Sequence, residues 1–473
     1  MNFVSWAFAA LFLVVFAARL TIGRRKIETP YLAVLLVASL VFYGWHVPSY
    51  VALLVGSALV DFLAARAMGE AGPDRQRVRR ALLVASLVSN LGVLAFFKYG
   101  GFAAQAAEDL AALAGASLRV PATQLVLPMG ISFYTFQTLS YTIDVYRGEL
   151  APVRNFWRFL LFISFFPQLV AGPIVRASEF LPQMPRPRRL RLRVFYEGVW
   201  LVIAGLFLKM VCADNLAAYV DEHWARASAP GAEATFNLWL SLMFSGQIFA
   251  DFCGYSTIAR GLGYLLGFRF PLNFNAPYIA GTFKNFWERW HITLSRWLRD
   301  YLYVPLGGNR GSRARTYVNL LAVMLLGGLW HGAAYTFLAW GAIHGLCLAV
   351  ERGLGLHRQN GLRPTRWVRG AWAVVVQVAV LVAWIYFRSD TIGEATSFVS
   401  QLIVGTWRLP TGWMVASTLF LSPLLAMHLY AWLRDRHLLP PLGAGTKAAL
   451  AAAMTYGILS VYGGTSDFIY FQF

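Results

Sequence analysis

The residues best suited to chemistry are histidines inside an apolar stretch. Residues 327–345 read GGLWHGAAYTFLAWGAIHG, with His331 near the start and His344 near the end. An ionisable side chain at membrane depth is costly and is a functional candidate by default. A neutral imidazole could take a proton from a hydroxyl group, as a general base does. A buried histidine bonded to a backbone carbonyl is the ordinary alternative, and the residues alone leave both open.

The spacing of these histidines argues against a metal site. On one helix His331 and His344 would lie about 220° apart around the axis and about 20 Å apart along it. The sequence has no HxxxH, HExxH or carboxylate cluster, and no GxSxG motif of a serine hydrolase. We therefore expect no metal and no bound cofactor.

A second group of polar residues surrounds His291. Apolar residues over 283–301 recur at the spacing of one helix face, which predicts a single amphipathic helix in the membrane interface. Glu288 and Ser295 would then share a polar strip with His291, because residues three and four apart are neighbours on a helix.

A glycine-rich loop follows this predicted helix. It reads YLYVPLGGNRG and ends with Asn309 and Arg310 after Gly307 and Gly308. Its backbone N–H groups could hold a phosphate, or the loop could be a plain turn. No Walker or Rossmann pattern decides between the two.

The composition indicates the class of protein whose helices must position these residues. The chain has 473 residues, of which 58% are hydrophobic and 13% charged. Soluble proteins carry roughly 25% charged residues, so this chain cannot cover a soluble globule of its size. The net charge of +19 comes from short basic loops between apolar spans, which fits the positive-inside rule better than nucleic-acid binding. The sequence predicts an all-α polytopic membrane protein.

Apolar stretches give the candidate membrane elements. A spanning helix needs about 20 residues, and several stretches are shorter, so some should be tilted, re-entrant or buried. They lie at about 4–20, 31–45, 49–68, 81–99, 122–143, 157–172, 194–213, 236–253, 317–330, 332–350, 371–387, 412–432 and 447–462.

Basic loops fix two further expectations. The basic loop at 69–80 is expected inside, so span 81–99 ends outside, and the basic loop at 174–193 is inside again. The stretches 122–143 and 157–172 together therefore allow only one net crossing, and one of them should be irregular. We expect it to be 122–143, which Pro128 and Gly130 interrupt. Both flanks of 317–350 are also basic, so this stretch must enter and return, with LWHGAA at the turn. Gly327, Gly328 and Gly332 favour that turn.

Two motifs carry a resemblance. NFWERWHITLSRWLRDYLYVPLGGNR at 285–310, followed by GGLWHGAAYTF at 327–337, resembles the membrane-bound O-acyltransferase family, and within it the branch that acetylates alginate. The resemblance covers nearly the whole chain. Supporting stretches are LPMGISFYTFQTLSYTIDVYRG at 127–148, FFPQLVAGPIVR at 165–176, DFCGYSTIARGLGYLLGFRFPLNFNAPY at 251–278 and FIYFQF at 468–473.

The resemblance implies a fold. It is a ring of roughly 11–13 membrane helices around a thinned centre, with interfacial and re-entrant helices. The chain would be one membrane domain over 1–473, with N-terminal helices at about 1–120, a core with both histidine motifs at 121–350, and C-terminal helices at 351–473.

The resemblance also implies site residues. By motif match, His331 is the catalytic histidine and His291 the supporting one. The residues expected to bind substrate are Trp330, Arg289, Asn309, Arg310, Glu288 and Ser295, the arginines and asparagine on the donor side.

The implied reaction is O-acetylation of an exported cell-surface polysaccharide. The donor would be acetyl-CoA or another acyl thioester, free or on an acyl carrier protein, entering from the cytoplasm. Transfer would need a periplasmic, SGNH-like acetyltransferase partner, and the chain would lie in the bacterial inner membrane. The identity of the acceptor, the acyl chain and the oligomeric state stay open.

Two other functions remain to be separated from this one. A proton-coupled transporter or channel could use His331 as a relay, with Asp61, Asp214 and Asp251 as the acids available within apolar segments. A scaffold that only recruits periplasmic enzymes would tolerate the loss of His331.

Overall fold

Helices make up the regular structure, because in a bilayer each backbone N–H and C=O group must find its partner within the protein. The computed structural model describes all residues except 23–27, 121–126, 170–171, 186, 188, 357–364, 410–411 and 462–473. Its described residues form helices and no strand. The terminal FIYFQF, which supported the resemblance, lies outside the described residues.

The chain divides into two compact units, and the first is Met1–Val199 with Ala259–Pro271. Its N-terminal helix begins at a side-chain cap, where the Ser5 hydroxyl accepts from the Phe8 N–H. The helices are α1 (Trp6–Thr21), α2 (Glu28–Gly44), α3 (Ser49–Ala71), α4 (Gln76–Leu94), α5 (Gly100–Leu113), α6 (Ile131–Arg147), α7 (Phe156–Ser164), α8 (Phe166–Leu169), α9 (Ala177–Phe180) and the first half of α10 (Leu192–Leu206).

The second unit is Trp200–Ile258 with Leu272–Phe473. It contains the rest of α10 and most of α12, and both histidine motifs. Its further helices are α11 (Asp214–Ala227), α12 (Ala234–Leu266), α13 (Phe283–Arg289), α14 (Ile292–Leu298), α15 (Arg313–His331), α16 (Tyr335–Gly353), α17 (Arg366–Arg388), α18 (Ile392–Val404), α19 (Gly412–Asp435) and α20 (Ala444–Ser460).

Helices that are long enough to span a membrane occur in both units. Five helical stretches of the described chain are long and apolar enough to cross a bilayer, namely Ser49–Ala71, Gln76–Leu113, Leu192–Ala227, Arg366–Arg388 and Met414–Asp435. Each apolar stretch predicted from the sequence overlaps a helix. The prediction of an all-α polytopic membrane protein is confirmed.

Pro128 and Gly130 interrupt the stretch 122–143, as expected. Its described residues 127–130 are not helical, and α6 begins at Ile131 after Gly130, which takes a left-handed conformation, φ 74°. The stretch 157–172 is interrupted as well, which was not expected, because Phe165 (ψ 109°) separates α7 from the four-residue α8. The Gln168 side chain donates to the Phe162 carbonyl at 2.6 Å, which satisfies a backbone group near the break.

Helices α15 and α16 form the predicted hairpin, with its turn at residues 332–334. Of the three glycines expected to favour this turn, only Gly332 lies in it. Gly328 lies inside α15, where a Cβ atom would collide with the Phe337 carbonyl, and a Cβ on Gly341 would collide with the Met324 carbonyl. Gly328 therefore allows two helices to pack closely, as small residues do in membrane proteins.

Buried acids are neutralised or hydrogen-bonded. Lys209 is fully buried, and its Nζ lies 2.7 Å from Asp214 Oδ1 and 2.9 Å from Asp251 Oδ1. In the first unit, Asp61 accepts hydrogen bonds from Ser86 Oγ and from the Asn90 amide, which joins α3 to α4. Two of the three acids that a proton relay would use are thus held by one lysine.

Candidate active site

The hairpin places His331 at the last residue of α15, in a buried aromatic environment. Its side chain is 3% exposed. The imidazole ring meets Trp330, Trp340 and Phe387 edge-on at centroid distances of 4.9, 5.1 and 5.5 Å. The C-terminal end of a helix carries partial negative charge, so this position favours a histidine that becomes positively charged.

His291 lies in a break and not on a continuous helix, so the predicted single helix over 283–301 is wrong. Helix α13 ends at Arg289, and His291 takes a left-handed conformation, φ 40° and ψ 53°, at the start of α14. The preceding loop makes the break possible. The Asn275 N–H donates to the Arg289 carbonyl, and the Ile292 N–H donates to the Asn273 carbonyl, both at 2.9 Å. These tertiary bonds replace the helical ones.

The break brings the two histidines together. The centroids of the His291 and His331 rings lie 6.5 Å apart, and Trp330 lies 6.1 Å from His291. One oxygen atom about 2.8 Å from a nitrogen of each ring fits between rings at this distance. The two residues that the motif match selected therefore form one site.

His291 is fully buried and hydrogen-bonded. Its Nδ1 lies 3.1 Å from Asn273 Oδ1, and its ring stands edge-on to Phe252 at 4.6 Å. Burial lowers the pKa of His291 to about 3, so its imidazole is neutral at physiological pH.

His344 lies closer to His331 than the separation expected for two residues on one continuous helix. The two residues stand on different helices of the hairpin, and both rings contact Trp340, so the estimate for a single helix is wrong. The His344 ring also stacks on Phe286 at 5.8 Å. Among the described residues, no three histidine, cysteine, aspartate or glutamate side chains converge as a metal site would require.

The predicted polar strip does not form around His291. The Glu288 side chain is 55% exposed and lies near Lys284. The Ser295 hydroxyl donates to the Trp290 carbonyl at 3.3 Å. Because the helix breaks between them, these side chains no longer share a face with His291.

The residues expected on the donor side are dispersed. Arg289 donates to Asp435 Oδ2 at 2.8 Å and to the Asn275 carbonyl at 3.0 Å, which commits its guanidinium to the fold. Asn309 and Arg310 are exposed in the glycine-rich loop.

The glycine-rich loop is a turn. Gly307 and Gly308 have φ of 104° and 54°, and their N–H groups donate to the Val304 and Tyr303 carbonyls. These N–H groups are used within the loop, which argues against a phosphate cradle.

Two residues that the sequence analysis did not select support the site. Asn273 holds His291, and the only sequence signal was its place in the stretch LNFNAPY. Glu351, at the end of α16, is 1% exposed and accepts hydrogen bonds from the N–H groups of Phe283 and Lys284 at 2.5 and 3.0 Å. Its carboxylate thereby fixes the start of α13.

Comparison with known proteins places this site in a family context. Residues 149–389 match the family model described as MBOAT, membrane-bound O-acyltransferase family. The chain is 39% identical over 412 residues to "Probable alginate O-acetylase AlgI" of Pseudomonas aeruginosa, covering 86% of this chain and 76% of that one. It is 35% identical over 400 residues to the "Peptidoglycan O-acetyltransferase" of Helicobacter pylori, covering 78% and 73%. The "Teichoic acid D-alanyltransferase" of Streptococcus thermophilus is 27% identical over 283 residues, covering 55% and 68%.

Proposed function

Because this chain belongs to the membrane-bound O-acyltransferase family, we propose that it is a membrane O-acetyltransferase serving an exported cell-surface polysaccharide. The more similar relatives, at 39% and 35% identity, are both named for O-acetylation, whereas the relative named for D-alanyl transfer is 27% identical over a shorter part of the chain. These identities favour the acetyl group over the D-alanyl group.

The observation that carries the mechanism is the pair of buried imidazoles with ring centroids 6.5 Å apart. The hydroxyl group of the acyl acceptor would lie between them, with its hydrogen shared by both rings. His331 takes the proton, and the hydroxyl oxygen forms a bond to the thioester carbonyl carbon. The C–S bond then breaks, and the leaving thiolate takes the proton back from the His331 imidazolium, so His331 ends neutral.

Two features favour His331 over His291 as the proton acceptor. His331 ends the 19-residue helix α15, whose C-terminal partial charge stabilises an imidazolium. His291 begins a helix and is fully buried, and both circumstances disfavour its charged form. His291 would therefore hold the hydroxyl group in place.

The proposed donor is acetyl-CoA or another acyl thioester, delivered free or by an acyl carrier protein. Trp330, which contacts both histidines, is the predicted binding residue that lies at the reacting groups. The exposed Asn309 and Arg310 are suited to donor phosphates outside the buried site. The surroundings of Arg289, Glu288 and Ser295 favour roles in the fold.

The placement in the cell follows from the reaction. A multi-pass protein that takes an acyl group from a cytoplasmic thioester and serves an exported polysaccharide must lie in the bacterial inner membrane. We propose that a periplasmic, SGNH-like acetyltransferase receives the acyl group and completes its transfer to the polysaccharide.

The test is release of free thiol from acetyl-CoA by the purified protein in detergent. Wild type should release thiol, and His331→Ala should lose this activity at least a hundredfold while remaining folded. His428→Ala is the matched control, because His428 is another buried histidine of the second unit, with Nδ1 2.8 Å from the Leu424 carbonyl. Equal turnover by wild type and His331→Ala would overturn the assignment, whereas a scaffold role predicts no thiol release by either protein.

A further inference from the structure

The side chain of Asn273 connects its own loop to α12 and to the start of α14, beside the two histidines. Asn273 lies in the chain segment between α12 and α13 and is 1% exposed. Its Oδ1 lies 3.1 Å from His291 Nδ1, 3.2 Å from the Thr293 N–H nitrogen and 2.9 Å from Thr293 Oγ1. Its Nδ2 donates to Ser256 Oγ on α12 at 3.1 Å. The amide is thus held from both ends.

These contacts settle which way the amide faces. A backbone N–H can only donate, so the atom next to the Thr293 nitrogen must be the acceptor Oδ1 and not the amide nitrogen. The Asn273 oxygen then faces His291 Nδ1. A neutral imidazole carries one proton, and a hydrogen bond to a carbonyl oxygen requires that proton on Nδ1.

The other ring nitrogen therefore carries the lone pair. Among the described residues, His291 Nε2 has no hydrogen-bond partner, although the ring is fully buried. A buried polar atom without a protein partner is costly, and its lone pair is available to a bound hydroxyl group. The ring also lies beside Trp330 and His331, which belong to the proposed site.

We propose that Asn273 is a positioning residue that holds His291 in the Nδ1–H tautomer, so that Nε2 accepts a hydrogen bond from the acyl-accepting hydroxyl group. The catalytic consequence rests on the proposed function. The tautomer also excludes another role, because an Nε2 lone pair cannot donate a hydrogen bond to the oxyanion formed on the thioester carbon.

Three substitutions separate positioning from general support of the fold. Asn273→Leu keeps the size of the side chain and removes the acceptor. Asn273→Asp keeps the acceptor and adds negative charge beside Nδ1. Thr293→Val is the matched control, because it removes a different donor to the same oxygen and leaves the His291 contact intact.

The first readout is the tautomer itself, observed by nitrogen NMR of the ¹⁵N-histidine-labelled protein, with His291→Gln to identify the resonance. Wild type and Thr293→Val should show a protonated Nδ1 that Asn273→Leu loses. Persistence of that signal in Asn273→Leu would overturn the proposal. This readout does not depend on turnover, so it decides the role of Asn273 even if acetyl-CoA gives no thiol release and the proposed function fails.

The second readout is thiol release as a function of pH. The rate of thiol release should fall at least tenfold in Asn273→Leu, as expected for loss of a group that orients a histidine. In Thr293→Val the rate should stay within about twofold of wild type. In Asn273→Asp the carboxylate raises the pKa of His291, so activity should disappear at a higher pH than in wild type as the solution is acidified. A reduction that is uniform across pH would indicate a structural role only. If Asn273→Leu does not fold, the pH profile of Asn273→Asp decides.

Discussion

The carboxylate of Glu351 accepts a hydrogen bond from the backbone N–H of Phe283 at 2.5 Å, and this bond joins the hairpin of His331 to the helix that precedes His291. The same carboxylate accepts from the Lys284 N–H and from Trp372 Nε1 at 3.0 and 3.1 Å. It thereby satisfies two N–H groups at the start of α13 that have no partner within that helix. A single buried carboxylate thus sets the position of one histidine segment relative to the other.

Glu351→Ala should therefore destabilise the protein and weaken catalysis together. It leaves one buried and two partly buried donors without their acceptor, and we expect a loss of about 2–3 kcal/mol in the free energy of unfolding. Thermal unfolding in detergent and thiol release measure the two effects. Glu394→Ala is the control, because Glu394 accepts from the Asp390 N–H at an exposed helix start and should cost less than about 1 kcal/mol. Equal losses in the two variants would contradict this role of Glu351.

His291 combines a functional position with backbone strain. A non-glycine residue in the left-handed region costs about 1–2 kcal/mol, which glycine avoids. We expect His291→Gly to unfold at a higher temperature than His291→Ala, by an amount equivalent to about 1 kcal/mol, while both variants lose thiol release. The two substitutions remove the same imidazole and differ only in backbone freedom. Equal unfolding temperatures would show that the conformation at this residue is not strained.

The sequence pattern explains why the helix break at His291 was not predicted. Apolar residues continue at helical spacing on both sides of His291, and Phe286, Trp290 and Leu294 are all buried. The periodicity therefore predicts one continuous helix. The groups that interrupt the helix belong to Asn273 and Asn275, which precede the break at His291 by more than ten residues. No local pattern can report hydrogen bonds that come from another segment.

The hairpin was predictable because charge constrains it from outside. Basic residues flank 317–350 on both sides, and the positive-inside rule then requires the chain to enter and return. The contacts of the turn were not predictable, since Gly328 could have served either a turn or a helix contact. Likewise, the acids Asp214 and Asp251 were recognised in apolar segments, but their partner Lys209 was missed, since a lysine near a span end is usually assigned to the interface.

Lys209 gives a prediction about buried charge. Lys209→Met leaves two buried carboxylates facing each other, and breaking a buried ion pair from one side costs about 3–5 kcal/mol. We expect the unfolding temperature in detergent to fall accordingly. Adding Asp214→Asn and Asp251→Asn to Lys209→Met should restore part of it, because no uncompensated charge remains. Lys284→Met is the control, since that lysine is 56% exposed. If the triple variant is no more stable than Lys209→Met, uncompensated charge is not the cause of the lower unfolding temperature.

The close packing of α15 against α16 gives the last prediction. Two glycine-to-alanine changes in helices, one at this contact and one away from it, should change the free energy of unfolding in opposite directions. A Cβ atom on Gly328 would collide with the Phe337 backbone, which cannot move without shifting α16 and the Trp340 that contacts His331. Gly370, in α17, has no atom within 4 Å of an added Cβ. Gly370→Ala should therefore raise the free energy of unfolding by up to about 1 kcal/mol through helix propensity alone. Gly328→Ala should lower it by about 1–3 kcal/mol and reduce thiol release, since the backbone must separate. Thermal unfolding and thiol release of both variants measure these effects, and a stabilised, fully active Gly328→Ala would show that the α15–α16 contact does not position His331.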